Sequence, residues 1–401
     1  MNEVGIGYPI YRMNEIHHLL CDIEASKYAN ITKEDLTNFK LHNGDVLFNR
    51  TNSFEWVGRT GIYYQNDEID RVFASYLVRF SPDISIILPE YLTTFLNTKY
   101  GVWDIKRRAR QSINQTNVNP EEVKEINIPI LDMEFQKQIA NKLQRANQNR
   151  VKSQNLYSSA ENYLLECLGM TNFVANTENY NIKTLKESFL ETGRIDSEYY
   201  LPKYENYQRI VENYSEGFAP CAKVCTIKEA NYIPLDDKLY RYIELSNIGK
   251  SGEITGYDFQ KGKDLPTRAR RIVEQGDVIV SSIEGSLSSC ALITKEYDQS
   301  LCSTGFYVLR SSVLNPETLL TLFKSFPLQQ LMKKGCSGTI LTAISKLELE
   351  QIPIPLIRPE VQAQIAQYIQ ESYALRKEAQ QLLEEAKLSV ERNIQMGGVK
   401  Y

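Results

Sequence analysis

Residues 113–143 of this chain return, in altered form, as residues 339–369. "INQTNVNPEEVKEINIPILDMEFQKQIANKL" lies over "TILTAISKLELEQIPIPLIRPEVQAQIAQYI" at a constant offset of 226. Thr116, Ile126, Pro129, Glu134, Gln136, Gln138, Ile139 and Ala140 match Thr342, Ile352, Pro355, Glu360, Gln362, Gln364, Ile365 and Ala366. Further upstream, "HNGDVLF" aligns with "EQGDVIV" at an offset of 232, with Gly44 and Asp45 over Gly276 and Asp277 and Ile16 over Ile248. Two copies of one unit, differing by a short loop, explain both offsets, and such a repeat fixes the architecture before any other feature is read.

Each copy reads as short strands and turns followed by a long helix. "GDVLFNR" and "GDVIVSS" are a turn pair followed by a β-branched apolar run, the pattern of a buried strand, and "FASYLVRF" and "TGFYVLRSS" read alike. The proline-bearing "IPI" and "IPIPLIRP" suit edge or terminal strands, because proline donates no ladder hydrogen bond. The period then turns helical. From about residue 133 to 168 the stripe is Ile139, Leu143, Ala146, Tyr157, Ala160 and Leu164; from about 359 to 393 it is Ile365, Ile369, Ala379, Leu383, Ala386 and Val390. Arg150, Ser153, Ser372 and Arg376 interrupt these stripes, so neither helix is expected to be stable alone, and packing the two on each other buries both, antiparallel if a two-fold axis relates the repeats. The second copy has a long opening, including "TGRIDSEYYLPKYENYQRIVENY", where the first has only "MNEVGIGYPI". The first copy therefore lacks an opening helix and strand: either the start is shortened or another segment supplies them.

With 401 residues the chain is long enough for two or three domains, and 42% hydrophobic and 24% charged residues are those of a folded protein. No apolar run is long enough to cross a bilayer and the start is unlike a secretion signal, so a cytoplasmic location with no membrane contact is expected. Seven scattered cysteines do not form a disulfide framework. Cys221 and Cys225 lack a second pair at zinc-site spacing, and His17, His18 and His42 read as surface or packed residues rather than ligands. No metal, cofactor or catalytic residue is assigned. The chain has no "NPPY"-like motif, no complete G-x-G-x-x-G and no P-loop, and Pro82-Asp83 with Glu122 and Lys124 is too short a token to mark a nuclease.

A net charge of −4 argues against indiscriminate nucleic-acid binding, but binding depends on where charge sits. "KYGVWDIKRRARQSINQTN", residues 99–117, sets Lys99, Lys106, Arg107, Arg108 and Arg110 against the single acid Asp104, and adds Gln111, Asn114, Gln115 and Asn117, whose amides both donate and accept. Cations in that density attract phosphates, and amides suit base edges. "LMKKGCSGTILTAIS" repeats the basic, hydroxyl-rich character with Lys333, Lys334, Ser337 and Thr339 but other readers. "KGKDLPTRARR" adds Lys261, Lys263, Arg268, Arg270 and Arg271, and "FNRTNSFEWVGRTG" offers Arg50, Thr51, Asn52, Ser53 and Arg59. Arg107, Arg108, Arg110, Arg268, Arg270, Arg271, Lys333 and Lys334 are expected mainly to hold phosphate. Arg50, Asn52, Gln111, Asn114, Gln115, Ser281, Ser282, Ser337 and Thr339 are candidates for base edges or for positioning readers, with Arg59 also counted in the DNA-binding set.

At these residues the chain resembles the specificity subunit of type I restriction-modification systems. "NGDVLFNRTNSFEWVGRTGIYY", "SINQTNVNPEEVKEINIPILDMEFQKQIANKL", "RIDSEYYLPKY" and "GTILTAISKLELEQIPIPLIRPEVQAQIA" carry the resemblance, and their order is specific because it occurs twice. It implies an α+β fold: two repeated target-recognition domains separated by two long antiparallel, coiled-coil-like helices. The expected boundaries are a shortened first recognition domain at 1–132, a central spacer helix at 133–170, a second recognition domain at 171–358 and a C-terminal spacer helix at 359–396. The resemblance further implies a non-catalytic subunit that reads a bipartite site in double-stranded DNA. Its helices would dock two methyltransferase (M) subunits, which use S-adenosylmethionine, alongside translocase/nuclease (R) subunits, which use ATP and magnesium. The rival is a non-DNA scaffold or adaptor with two β-rich binding domains on a helical stalk. The shortened start departs from the family pattern.

Overall fold

The computed structural model describes residues 5–17, 19–113, 115–338 and 342–397. It divides into two units, Met1–Ser153 with Ala374–Tyr401, and Gln154–Tyr373. Each contains small mixed sheets and part of each of two long helices, Met133–Cys167 and Pro359–Gln395.

Two sheets of the first unit share their three central pairing strands with two sheets of the second. In the first, Tyr8–Tyr11 pairs antiparallel with Tyr28–Ala29 and parallel with Val72–Phe73; in the second, Leu239–Ile243 pairs antiparallel with Asp258–Lys261 and parallel with Leu301–Ser303. The second sheet centres on the apolar runs seen in the sequence. Val46–Asn49 lies between Thr60–Ile62 and Leu77–Phe80, and Val278–Ser281 lies between Cys290–Leu292 and Phe306–Ser311, every pair antiparallel. All four residues of each central strand are buried.

The turn that starts each central strand explains the repeated Gly-Asp. Gly44 and Gly276 have φ of +90° and +87°, a region that residues with a Cβ rarely adopt. The following aspartate closes the turn: Asp45 Oδ2 accepts the His42 N–H at 2.8 Å, and Asp277 Oδ2 accepts the Glu274 N–H at 2.8 Å. Both carboxylates then meet an arginine on the neighbouring strand, Arg79 at 3.5 Å and Arg310 at 2.8 Å.

Within the first unit the long-helix segments run antiparallel, with ion pairs Lys142–Glu385 at 2.6 Å and Arg145–Glu378. Ile139, Leu143 and Ala146 share one buried cluster with Ala379, Ala386 and Val390. Within the second unit Tyr157, Ala160 and Leu164 share another with Ile365 and Ile369. The polar interruptions are accommodated rather than exposed. Ser153 and Ser372 are fully buried, Arg376 reaches Ser153 Oγ at 3.4 Å, and Arg150 donates to the Cys21 carbonyl at 3.1 Å with Asp22 at 3.8 Å. Burial pushes the Arg150 guanidinium pKa down, and the neighbouring Asp22 opposes that shift.

The glutamines shared by the two copies tie these helices to the loops that lead into the helices Pro89–Leu96 and Pro316–Lys324. Gln136 Oε1 accepts the Leu88 N–H at 2.8 Å while Nε2 donates to the Ile86 and Leu131 carbonyls at 3.1 and 2.9 Å. Gln362 repeats the set on Asn315 at 2.8 Å, Val313 at 3.2 Å and Ile357 at 2.8 Å.

The copies differ where the sequence is unequal. In the second unit a helix Pro202–Glu212, a strand Phe218–Pro220 paired with Pro353–Pro355, a short helix Cys221–Val224 and an edge strand Cys225–Lys228 paired with Phe306–Ser311 precede the shared part. The described residues of the first unit contain no counterpart. There the proline segment 127–130 is not a strand, contrary to the edge or terminal strand expected of "IPI", because the strand that pairs with its counterpart in the second unit has no equivalent.

Candidate nucleic-acid interface

In the first unit the basic run folds as a helix, Lys99–Arg108, capped by Thr98 Oγ1 accepting the Gly101 N–H, and then as a hairpin. Arg110–Gln111 pairs antiparallel with Thr116–Asn117, and the Ser112 N–H donates to the Gln115 carbonyl at 2.8 Å across the turn. Thr116–Asn117 pairs on its other side with Thr51–Asn52. Thr116–Asn117 thus lies between Thr51–Asn52, some sixty residues earlier, and Arg110–Gln111 of its own hairpin. Residues opposite one another across antiparallel strands share a face. One row is Thr51, Asn117 and Arg110, with Thr51 Oγ1 donating to Asn117 Oδ1 at 2.6 Å; the other is Asn52, Thr116 and Gln111.

The second unit builds the same hairpin. Cys336–Ser337 pairs with Ala343–Ile344, and Ala343 bridges Ile283 at the position of Thr51. The row that reads Thr51, Asn117, Arg110 in the first unit therefore reads Ile283, Ala343, Ser337 in the second. One backbone frame carries two different chemical surfaces.

The named cations divide by what they touch. Arg110 has a 75% exposed side chain beside Glu122, and Arg107 is half exposed over the Trp103 ring and beside Asp104. Arg108 is only 16% exposed and donates to the Glu125 carbonyl at 2.7 Å. Lys106 donates to the carbonyls of Phe54, Glu55 and Val57, and burial lowers its pKa, so it shapes the 53–58 loop. In that loop Arg59 lies 3.5 Å over the Trp56 ring, its pKa lowered by burial. Arg50 donates to the Tyr76 carbonyl at 3.2 Å and Asn52 Nδ2 to Met13 Sδ at 3.5 Å. Gln111 and Gln115 are exposed; Asn114 and Thr339 lie outside the described residues.

In the second unit Arg268 is 59% exposed and bonded to Glu244 at 3.0 Å, a contact that raises its pKa. Arg270 bonds the Thr267 carbonyl at 2.9 Å, Arg271 bonds the Glu229 carbonyl, and Lys333 lies 3.6 Å from Glu284. Exposed ion pairs contribute only about 0–1 kcal/mol, so Glu244 and Glu284 leave Arg268 and Lys333 able to exchange onto phosphate. Lys334 differs: it bonds Gln208 Oε1 at 3.1 Å under the Pro202–Glu212 helix, and burial lowers its pKa. Ser281 is fully buried, its Oγ 3.1 Å from Ser286 Oγ and accepting the Ile283 N–H at 3.1 Å. Ser282 bonds the Gly305 carbonyl at 3.0 Å, and Ser337 is exposed on the hairpin.

Two exposed apolar groups escaped the sequence reading. Ile113, at the hairpin turn, is 99% exposed, and Trp103 is 67% exposed. An isolated apolar residue in a polar stretch gives no sign of which way it faces. Among the described residues no group of three or more His, Cys, Asp or Glu could hold a metal ion, and no helix is long and apolar enough to cross a membrane.

The family model for the type I restriction modification DNA specificity domain matches residues 2–156 and again residues 222–387. The chain belongs to that family. Similar stretches occur in a putative type I restriction enzyme MjaX specificity subunit of Methanocaldococcus jannaschii, 34% identical over 140 residues, 35% of this chain and 33% of that protein. The type I restriction enzyme EcoKI specificity subunit of Escherichia coli is 25% identical over 124 residues, 31% of this chain and 26% of that protein. The chain thus spans about a third and a quarter of the length of these relatives. Among solved structures, a type I restriction-modification S subunit from M. genitalium matches at 13% identity and a TM-score of 0.39, covering all of this chain and 90% of that one. The specificity-subunit structure from Thermoanaerobacter tengcongensis matches at 14% identity and a TM-score of 0.28, covering 94% and 89%. The two matched segments of the specificity family fall one on each repeat.

Proposed function

We propose that this chain is the non-catalytic, sequence-reading subunit of a type I restriction-modification complex. Each unit reads one half of a split site in double-stranded DNA, and the paired helices set the gap between the halves. The recognition domains are residues 1–132 and 171–358, and the spacers 133–170 and 359–396. The observation that carries this reading is the hairpin frame built twice with different side chains on the same row, which is what two readers of different sequence require.

In this reading Arg107, Arg110, Arg268, Arg270, Arg271 and Lys333 hold phosphate, while Arg108 and Lys334, tied internally, support the surface from beneath. Gln111, Gln115 and Ser337 approach base edges from the hairpins, Asn114 and Thr339 are readers by their residue type alone, Ile113 offers an apolar contact to a thymine methyl, and Arg50, Asn52, Arg59, Ser281 and Ser282 position them. Two M subunits dock on the helices and supply methylation; R subunits supply translocation and cleavage. The chain acts where chromosomal DNA is, in the cytoplasm.

The test is to replace residues 1–132 by another recognition domain and to sequence methylated sites in cells that also carry the M partner. One half of the site is expected to change and the other to persist. A change in both halves would overturn the modular reading, and a chain retained by no DNA in the presence of its M partner would favour the scaffold instead.

A further inference from the structure

The loop that follows Thr51–Asn52 in the first unit differs from its counterpart in the second. Thr51 and Ile283 mark the same place where each hairpin pairs. Val57 and Leu287 mark a second: both are buried, and each lies three residues before the next strand, Thr60–Ile62 or Cys290–Leu292. Five residues, 52–56, separate these marks in the first unit and three, 284–286, in the second. The longer loop carries Phe54 and Trp56, 45% and 38% exposed, whereas the shorter consists of Glu284, Gly285 and Ser286 and has no aromatic residue.

The backbone that holds the two rings outward is fixed. Lys106 directs all three of its ammonium protons onto it, donating to the Phe54 carbonyl and, at 2.9 Å each, to those of Glu55 and Val57. The Trp56 and Val57 N–H groups donate to the Ser53 carbonyl at 3.1 and 2.9 Å, and the Gly58 N–H closes the base of the loop on the Asn49 carbonyl at 2.8 Å. Arg59 lies against one face of the Trp56 ring at 3.5 Å. Glu55, between the two rings, lies within the electrostatic reach of Lys106 and Arg59, so its charge is met inside the loop rather than turned against an approaching phosphate. Holding two large rings in water is unfavourable, and a backbone ordered in advance lowers the cost of binding when a flat apolar surface meets them.

We propose that the loop 53–58 is a wedge for duplex DNA: Phe54 and Trp56 enter one base step in the half-site of the first unit, part its stack and stack on the bases themselves. The inference rests on the proposed reading of DNA. Position identifies the occupant. Asn52, the residue before the loop, lies in one row with Thr116 and Gln111, so DNA read by that row brings its bases to the rings. Every base offers a flat face to an aromatic side chain. Apolar side chains inserted at a base step unstack and kink the duplex, and pyrimidine–purine steps yield most easily. The first half-site is therefore selected in part by how readily one step opens. The second, facing a loop without rings, is not.

The test uses the full chain with its M partner and a duplex carrying the site mapped by sequencing of methylated DNA. 2-Aminopurine, whose emission rises when it leaves the stack, is placed at one position at a time, the methylated adenines excepted. A rise is expected at one step of the half-site that changes when residues 1–132 are exchanged, with none in the other half. A mismatch at that step should tighten binding by about tenfold, because part of the stack is already broken. Phe54→Ala with Trp56→Ala should abolish both the rise and the benefit of the mismatch and leave the slope of log K against log salt unchanged, as loss of phosphate contacts would not. The first measurement uses unaltered protein, so misfolding of the variant does not mask the result. Flat emission throughout, or an equal rise in both halves, with the duplex retained overturns the wedge alone; no retention of the mapped duplex overturns the reading of DNA and the wedge with it. In the Trp103→Phe protein Trp56 is the one tryptophan. If its emission changes on adding the M partner and no further on adding DNA, the loop is a protein contact and the proposal is overturned.

Discussion

Gln362 forms three hydrogen bonds from a site 8% exposed, so what it holds is set by desolvation rather than by the bonds' net strength. Gln362→Ala leaves an N–H and two carbonyls without a partner and is expected to lower the stability of the second unit by about 2–4 kcal/mol in urea denaturation; a loss below about 0.5 kcal/mol would show that water replaces the amide. The Arg71–Asp67 pair carries a pH dependence. Arg71 is 4% exposed and donates to both Asp67 oxygens, and these bonds hold the carboxyl below its ordinary value of 3.8. A depressed carboxylate contributes stability above its unfolded pKa and loses it as pH falls through the folded value. Asp67→Asn should therefore destabilise by about 1–2 kcal/mol near neutrality, less than for a fully buried pair because Asp67 faces water, with the difference from the parent shrinking below about pH 4. The sequence marked Gln136, Gln362, Asp45 and Asp277 by their repetition alone. Their hydrogen-bond partners, on strands and loops distant in sequence, were not legible there. Asp67 and Arg71 are not repeated and gave no signal.

Among the elements, the long helices were legible nearly to their ends because a 3.6-residue period persists through Ile139, Leu143 and Ala146 and through Ile365 and Ile369. Their polar interruptions read as weaknesses in sequence and prove to be anchor points, since Arg150 finds the Cys21 carbonyl and Ser153 finds Arg376. The hairpin at 110–117 was not legible: "RQSINQTN" lacks the apolar alternation that marks a strand, and its pairing partner at 51–52 lies some sixty residues earlier. That geometry sharpens the expected effects of mutation. Arg110→Ala, at an exposed position, should weaken binding to all DNA sequences and lower the slope of log K against log salt by about one unit. Arg108→Ala should act first on folding, because its guanidinium holds the Glu125 carbonyl. Gln115→Ala should leave the salt slope unchanged and relax discrimination at one base pair by about 1–3 kcal/mol. Filter binding across a salt series with matched and mismatched duplexes separates the three.

At the scale of the whole molecule the repeat foretold two similar units and the inequality of their openings, both visible as an alignment that starts late in the first copy. It did not foretell which surfaces that inequality leaves bare, because exposure depends on strands that meet only after folding. The first unit also takes part of its core from the far end of the chain: Ala379, Ala386 and Val390 lie in the same buried cluster as Phe48, Tyr91 and Leu143. Ending the chain after residue 373 is expected to unfold the first unit selectively, read as loss of amide-exchange protection in residues 46–62 while the Val278–Ser281 strand stays protected.

That shared core imposes an order on biosynthesis. Residues 374–395 are made some 240 residues after residue 133, and at about 5–20 residues per second the leading unit waits on the order of ten to fifty seconds before its missing helix arrives. Throughout that interval the cluster around Ile139 and Leu143 lacks Ala379, Ala386 and Val390, so the unit translated first is completed only after the second has been made.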